Sequence, residues 1–236
     1  MSELAKIWAV IPAAGIGTRM QTDIPKQYLK IRGKCILEYT LERFCSHPDI
    51  QGVIVAVSDS DHYWSTLSIA SHKKITRVTG GEERCHSVQN GLHALGEVAA
   101  PDDWVMVHDA ARPCLRVEDI DKLIIQISKG KTGGLLAVPV RDTMKRANKS
   151  NHVKETVDRV DLWHALTPQM FRLSELTGAI DTALQQQLLV TDEAQAMEYY
   201  EQAPLLVEGH PDNIKITHPR DLILAELFLL QQEENP

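Results

Sequence analysis

Residues Lys6–Tyr28 read KIWAVIPAAGIGTRMQTDIPKQY: a short unbroken apolar run, a loop with two glycines, then Arg19 and, just past a proline, Lys26. An apolar run of this length suits a β-strand covered on both faces. Small residues directly after such a strand bring backbone close to a ligand. The pattern recurs along the chain. GVIVAVS (52–58), KITRVTG (74–80), DWVMVHD (103–109) and GGLLAVPV (133–140) read as further strands. Between them lie helix-period stretches at Cys35–Ser46, Arg84–Glu97 and Glu118–Ser128, and the region Asp59–Ser71 reads as partly helical. Strands alternating with helices specify parallel βαβ units, hence an α/β fold with a doubly wound, mostly parallel sheet. Such sheets bind ligands beyond the carboxyl ends of their strands. AAGIGTRM (13–20), GGEER (80–84) and HDAARP (108–113) each begin where a strand ends, which places all three on one rim.

The bulk properties bound the rest. A chain of 236 residues suits one α/β domain (1–236), and 43% apolar with 24% charged residues is ordinary for a soluble globule. A formal charge of -7 argues against a general nucleic-acid or membrane-surface binder. An anionic substrate must therefore meet a local cationic cluster on an acidic body. The four cysteines (Cys35, Cys45, Cys85, Cys114) show neither CxxC pairing nor zinc spacing and read as reduced thiols in a cytosol. Nothing resembles a signal peptide, and no apolar run is long enough to span a bilayer. The expectation is a soluble cytoplasmic protein.

One segment breaks the alternation. RDTMKRANKSNHVKETVDR (141–159) is rich in charge, with a polar turn at Asn148–Asn151, and reads as a protruding β-hairpin arm with little apolar surface of its own. Isolated hairpins are only marginally stable, so the arm either lies on the body or pairs with another subunit. HPRDLILAELFLLQQ (218–232) reads as a closing amphipathic helix with Pro219 in its first turn.

Three loop chemistries compete for the opening stretch. A P-loop needs GxxxxGK[ST], which is absent. A dinucleotide fingerprint needs GxGxxG, but Gly15 and Gly17 are followed by Met20 where the third glycine belongs. A nucleoside-triphosphate loop of the nucleotidyltransferase kind remains. There Ala13, Ala14 and Gly15 leave backbone N–H groups open to a base and phosphates, while Arg19 and Lys26 bring charge to a triphosphate. Substitution at an α-phosphorus builds negative charge on equatorial oxygens, which fixed cations stabilise. The bland alternative is an ordinary βα turn with two solvated cations.

The remaining stretches each admit a plain and a chemical reading. In GGEERCHSV, Gly80 and Gly81 permit a tight approach and Ser87 can bond a base edge; the plain reading is a helix start with acidic residues favourable to the dipole. In VMVHDAARP, Asp109 can bind substrate hydroxyls, or Mg²⁺ through water, or can pair with Arg112 to close a loop. His108, at the end of an apolar strand, reads as a packed core histidine. A charged hairpin bearing Thr143, Lys145, Arg146 and Arg159 is by itself a solvated face. Lys215, in the strand-like run DNIKIT (212–217), either points outward or needs an anion. TDEA (191–194) is a helix N-cap through Thr191 or Asp192, with no chemistry assigned.

AAGIGTRM with IPKQY, GGEERCHSV, HDAARP, PVRDTMKR, TVDR, LTPQ, TDEA and VEGHPDNIKIT, in that order, resemble the 2-C-methyl-D-erythritol 4-phosphate cytidylyltransferase family of the non-mevalonate isoprenoid pathway. The resemblance implies a nucleotidyltransferase-like fold and cytidylyl transfer from CTP to the sugar-alcohol phosphate, with pyrophosphate released. It implies that Ala13, Ala14, Gly81, Glu82 and Ser87 recognise cytosine, although the family commonly carries Asp where this chain has Glu82. Asp109 and Arg112 are implied to contact the sugar-alcohol phosphate. Thr143 and Arg159 are implied to bind it from the arm of a neighbouring subunit, which makes a homodimer the catalytic unit. Thr167 completes the acceptor set, Lys215 positions the attacking phosphate, and Asp212 is a partner for Lys215. Mg²⁺ is expected on the CTP phosphates, with few direct protein ligands. The rivals are a ribitol-5-phosphate cytidylyltransferase, a non-catalytic nucleotide-binding protein on the same fold and, for want of the third glycine more remotely, an NAD-dependent oxidoreductase.

Overall fold

The computed structural model describes residues 5–15, 24–130 and 132–234. Its centre is a seven-stranded sheet. The expected strands form it: β1 (Ile7–Pro12), β4 (Ile50–Val57), β5 (Ile75–Thr79), β6 (Trp104–Val107) and β7 (Gly134–Pro139). Between β1 and β4 lie a two-residue ribbon, β2 (Lys30–Ile31) with β3 (Lys34–Cys35), and helix α1 (Ile36–Ser46). Helices α2 (Arg84–Gly96) and α3 (Val117–Ile127) fall where periodicity placed them. Asp59–Ser71 contains only two short 3-10 turns, Trp64–Thr66 and Ser68–Ser71.

Two strands of the sheet had no sequence expectation. β10 (Trp163–Arg172) runs antiparallel between β6 and β7, and β11 (Leu205–Glu208) closes the edge beside β7. The order is β11-β7-β10-β6-β1-β4-β5, and every neighbouring pair not involving β10 is parallel. Helices α4 (Leu173–Gln185), α5 (Glu193–Tyr199) and α6 (Pro219–Glu234) lie in the second half of the chain.

Side-chain alternation along a strand explains why the sheet is covered twice. Ala9 and Ile11 of β1, Val53, Val55 and Val57 of β4, and Trp104 and Met106 of β6 join one core with α1 and α3. Their neighbours Val10, Ile54, Val105 and Val107 join the other, beneath α2, α4 and α5. Strands with both faces buried become continuous apolar runs, which is how the sequence displays them. Gly91 lets α2 lie close on β1, since a Cβ there would come within 2.6 Å of Val10 Cγ1. A smaller cluster fixes α6 against Ile31, Ile36, Cys114 and Ile216.

The arm forms as a separate two-stranded ribbon, β8 (Met144–Ala147) with β9 (Val153–Val157). Asn148 closes its turn: the Oδ1 atom accepts from the backbone N–H groups of Ser150 and His152. Arg146 pairs with Glu155 across the ribbon. Met144 and Val153 are exposed on it, with Val160 and Leu162 exposed at its base. The four cysteines are buried free thiols. Among the described residues no helix is long and apolar enough to cross a membrane.

Candidate active site at the strand-end rim

The rim forms as three loops leaving adjacent strands. After β1, the Ala13 N–H donates to Ala56 O at 2.8 Å, so it is not open to a ligand as the loop reading expected. Gln27 Nε2 donates to Ala13 O at 2.8 Å. That second bond ties the proline-lysine turn to the start of the glycine loop. Pro25 is extended (φ -56°, ψ 135°), and Lys26–Tyr28 make a single 3-10 turn that begins with Lys26 half-buried. Tyr28 O–H donates to Asp61 at 2.8 Å and anchors this turn to the loop after β4. Lys26 Nζ reaches Ile216 O at 3.3 Å. Arg19 lies outside the described residues.

The loop after β5 folds on itself. Gly81 N–H donates to Ser87 Oγ at 3.0 Å, and Gly80 N–H to Val57 O at 2.9 Å. A Cβ on Gly80 would meet Ala14 Cβ at 2.3 Å, so the tight approach the glycines permit is loop against loop. Ser87 lines the pocket, but its hydroxyl is already engaged with Gly81. Glu82 lines the same wall and is exposed.

The loop after β6 carries Asp109, which is buried and surrounded by cations. Its Oδ1 accepts from Arg84 Nε at 2.9 Å; its Oδ2 accepts from Arg112 Nε at 3.2 Å and lies 3.0 Å from Lys215 Nζ. Burial opposes the charge, yet Arg84, Lys215 and Arg112 together hold this carboxyl well below the usual carboxylate range. His108 is fully buried and tilted against Phe44, and burial lowers its pKa to about 4. It is a neutral core histidine bonded to Thr167 Oγ1 and Arg112 O.

Lys215 rides on a strap that crosses the rim. The run DNIKIT is irregular rather than strand-like, because its backbone groups turn inward: Ile214 N–H donates to Asp212 O at 2.7 Å and Asn213 N–H to His210 O at 3.2 Å. Ile216 N–H bonds Ala111 O at 2.9 Å, and Arg112 Nη1 donates to Asn213 O at 2.7 Å, so the strap is pinned to the HDAARP loop. Asp212 is not the partner of Lys215. It binds Arg116 at 2.7 and 2.9 Å, and Asp109 takes Lys215 instead.

The pocket thus gathers Ala13, Ala14, Gly15, Lys26, Gly81, Glu82, Ser87, Asp109 and Lys215 from segments far apart in sequence. Other expected residues sit elsewhere. Arg112 is buried behind Asp109, its guanidinium spent on Asp109 and the strap, rather than facing the pocket. Thr167 is also buried, accepting from Asp109 N–H at 3.2 Å, so it supports the loop from below. Thr143 and Arg159 are exposed at the arm's base, outside the pocket of their own chain. Arg159 donates there to Arg141 O.

Two residues with no expected role belong to the site. Arg84 lines the pocket, and Glu193, 1% exposed, holds it through both carboxylate oxygens at 2.6 and 3.1 Å. A sequence signal existed for the first: a cation in the opening turn of a helix opposes the dipole and calls for a local anion. Glu193 gave none, since an acidic residue there is what any helix start favours.

A doubly wound sheet whose strand-end loops line a pocket with small residues and two lysines is a nucleotidyltransferase-like α/β architecture. Solved structures agree. One is described as 2-C-methyl-D-erythritol 4-phosphate cytidylyltransferase from Francisella tularensis, with TM-score 0.84 and 40% identity over 95% of this chain and 100% of that one. A second, described as 4-diphosphocytidyl-2C-methyl-D-erythritol synthase, gives TM-score 0.82 and 38% identity over 95% of this chain and 99% of that one. The sequence matches the family described as 2-C-methyl-D-erythritol 4-phosphate cytidylyltransferase over residues 7–231. A curated relative of that name from Vibrio vulnificus is 54% identical over 231 residues, covering 98% of each chain. One from Pseudomonas putida is 52% identical over 223 residues, covering 94% of this chain and 95% of its own. The chain belongs to the 2-C-methyl-D-erythritol 4-phosphate cytidylyltransferase family.

Proposed function

We infer that this enzyme transfers a cytidylyl group from CTP to 2-C-methyl-D-erythritol 4-phosphate, a step of isoprenoid biosynthesis. Membership of the family supports the reaction. The observation that carries its chemistry is the convergence of Lys26, Lys215 and Asp109 on one pocket walled by Ala13, Ala14, Gly81 and Ser87.

A non-bridging oxygen of the acceptor phosphate attacks the α-phosphorus of CTP. The bond from that phosphorus to the oxygen bridging to the β-phosphate breaks, and pyrophosphate leaves. The attacking oxygen is anionic near neutral pH, so no strong general base is needed; His108, buried and neutral, is not one. Catalysis rests on alignment and on charge stabilisation. In this reading Lys26, with Arg19, stabilises the five-coordinate phosphorus. Lys215, held on Asp109, positions the acceptor phosphate. Ala13, Ala14, Gly15, Gly81, Glu82 and Ser87 seat the nucleotide, with Ser87 acting through the loop it shapes.

Mg²⁺ belongs to this reading as the partner of the triphosphate. Among the described residues no three His, Cys, Asp or Glu side chains are grouped to hold an ion, and both oxygens of Asp109 are committed to cations. In this reading the ion would be carried on the substrate phosphates with its waters. When bound it offsets triphosphate charge.

The exposed arm completes the proposal. Its stranding away from the sheet, with bare apolar residues and Arg159 and Thr143 at its base, fits a homodimer in which each arm reaches the partner's acceptor site. A cytoplasmic location is in keeping with four buried free thiols. The test is pyrophosphate release from CTP with 2-C-methyl-D-erythritol 4-phosphate and, separately, ribitol 5-phosphate. Preference for the former is expected, and preference for ribitol 5-phosphate would overturn the assignment.

A further inference from the structure

We propose that Glu193 and Arg84 are positioning residues that set the direction of Asp109 and, through it, of Lys215. The inference rests on the reading of Lys215 as the acceptor-phosphate cation. Arg84 uses all three guanidinium nitrogens: Nη1 and Nη2 on Glu193, at 2.6 and 3.1 Å, and Nε on Asp109 Oδ1 at 2.9 Å. A guanidinium forked onto one buried carboxylate has its plane fixed, so its remaining N–H has one direction in which to donate. That direction fixes Asp109, whose second oxygen faces Arg112 and Lys215.

The charges point the same way. Among the described residues the carboxylates paired with Arg84, Arg112 and Lys215 are Asp109 and Glu193, so three cations share two anions and this cluster carries one positive charge in surplus. An incoming phosphate monoester is the complement of that surplus. Without Glu193 the Arg84 head would keep its Nε bond to Asp109 but lose the partner of both Nη groups, beside an open pocket that it already lines. It would then compete with Lys215 for Asp109 or for the phosphate itself.

Glu193 is not needed to dock its own helix. Gln169 Oε1 accepts from Ala194 N–H at 2.7 Å, its Nε2 donates to Asp192 at 3.1 Å, and Asp192 caps Gln195 N–H at 2.9 Å. The start of α5 is held three ways without it. The buried carboxylate of Glu193 is therefore directed at Arg84.

Steady-state kinetics of Glu193→Gln test this. Its amide keeps the volume but sets an NH₂ donor against a guanidinium donor. The expected result is a loss of roughly tenfold or more in kcat/KM for the acceptor, with KM for CTP within about twofold of the parent. Glu193→Asp should recover most of the loss. The pair Arg84→Met with Glu193→Met separates positioning from folding, since apolar replacement of a buried ion pair is often neutral for stability. It should melt near the parent and remain impaired toward the acceptor. Recovery of acceptor kinetics in that double variant, or equal losses for both substrates in Glu193→Gln, would overturn the proposal.

Binding of inorganic phosphate, followed by ³¹P line broadening, reads the site without turnover. A Kd at least about fivefold weaker in Glu193→Gln is expected, and an unchanged Kd contradicts the proposal. Were the parent inert with the acceptor and CTP while phosphate binding still depended on Glu193, the cytidylyl-transfer reading would fail and the positioning role would stand.

Discussion

Lys215 Nζ lies 3.0 Å from Asp109 Oδ2, although one residue rides on a strap near the C-terminus and the other ends a central strand. The carboxylate is the hub, because three cations lean on it and it is nearly inaccessible, whereas the Lys215 side chain is 37% exposed. Removing the hub leaves buried Arg112 without a carboxylate and Arg84 with Glu193 alone, whereas removing Lys215 leaves a carboxylate still held by two arginines. Asp109→Ala should therefore cost about 3–5 kcal/mol in urea unfolding, and Lys215→Ala under about 1 kcal/mol. Comparable losses would mean the cluster is not organised around Asp109.

Gly80 is the point where two walls of the pocket touch. A methyl group there would meet Ala14 Cβ at 2.3 Å and Ser87 Oγ at 3.1 Å, so one wall must move. Gly80→Ala is expected to raise KM for CTP roughly tenfold, because displacements near 1 Å are costly at an aligned site. KM for the acceptor should change little. Kinetics with each substrate varied in turn decide the point.

Burial holds His108 neutral down to about pH 4, against an ordinary value of 6.5. Between these values the unfolded chain binds a proton that the folded one does not. Stability from this group is thus complete above about pH 6.5 and lost as pH falls toward 4, by roughly 3 kcal/mol in all. Asp109 leaves that window undisturbed: its folded pKa is depressed, so its contribution persists above its unfolded value, near 4, and is lost only below. Urea unfolding at stepped pH should show the decline in the parent and a flatter profile in His108→Gln.

The arm gives a prediction about mixtures. If Arg159 serves the partner's pocket, Arg159→Ala and Lys26→Ala chains complement each other. A mixed dimer contains one site with its own Lys26 and a neighbour's Arg159. Equimolar co-refolding of the two variants should restore about a quarter of parental sites. Activity no better than the sum of the separate variants would place Arg159 at its own chain's pocket or nowhere near one.

The parallel strands and the rim were legible because strands buried on both faces are written as unbroken apolar runs. β10 was not, because Pro168 interrupts the pattern where the register against β7 shifts between Ala165 and Gln169. Edge strand β11 is short and mostly exposed, and so carries little apolar signature. Small residues and lysines at loop positions announced the pocket. The Asp109–Arg112 pair was legible within its own string, but the partner of Lys215 was not: Asp212 took Arg116 and left Lys215 to Asp109, through contacts that only the folded strap creates. Arg112 and Thr167 stand in recognisable strings yet are buried behind the wall, since burial depth within a loop is set by tertiary packing.

The central claim is that fixed cations at the rim lower the barrier to substitution at the α-phosphorus of CTP. Single-turnover cytidylyl transfer by Lys26→Ala, with both substrates saturating, tests it most directly. The expected result is a rate roughly 10²–10³-fold below the parent, as for loss of a preorganised charge-stabilising group. A rate within a few-fold of the parent would contradict the account.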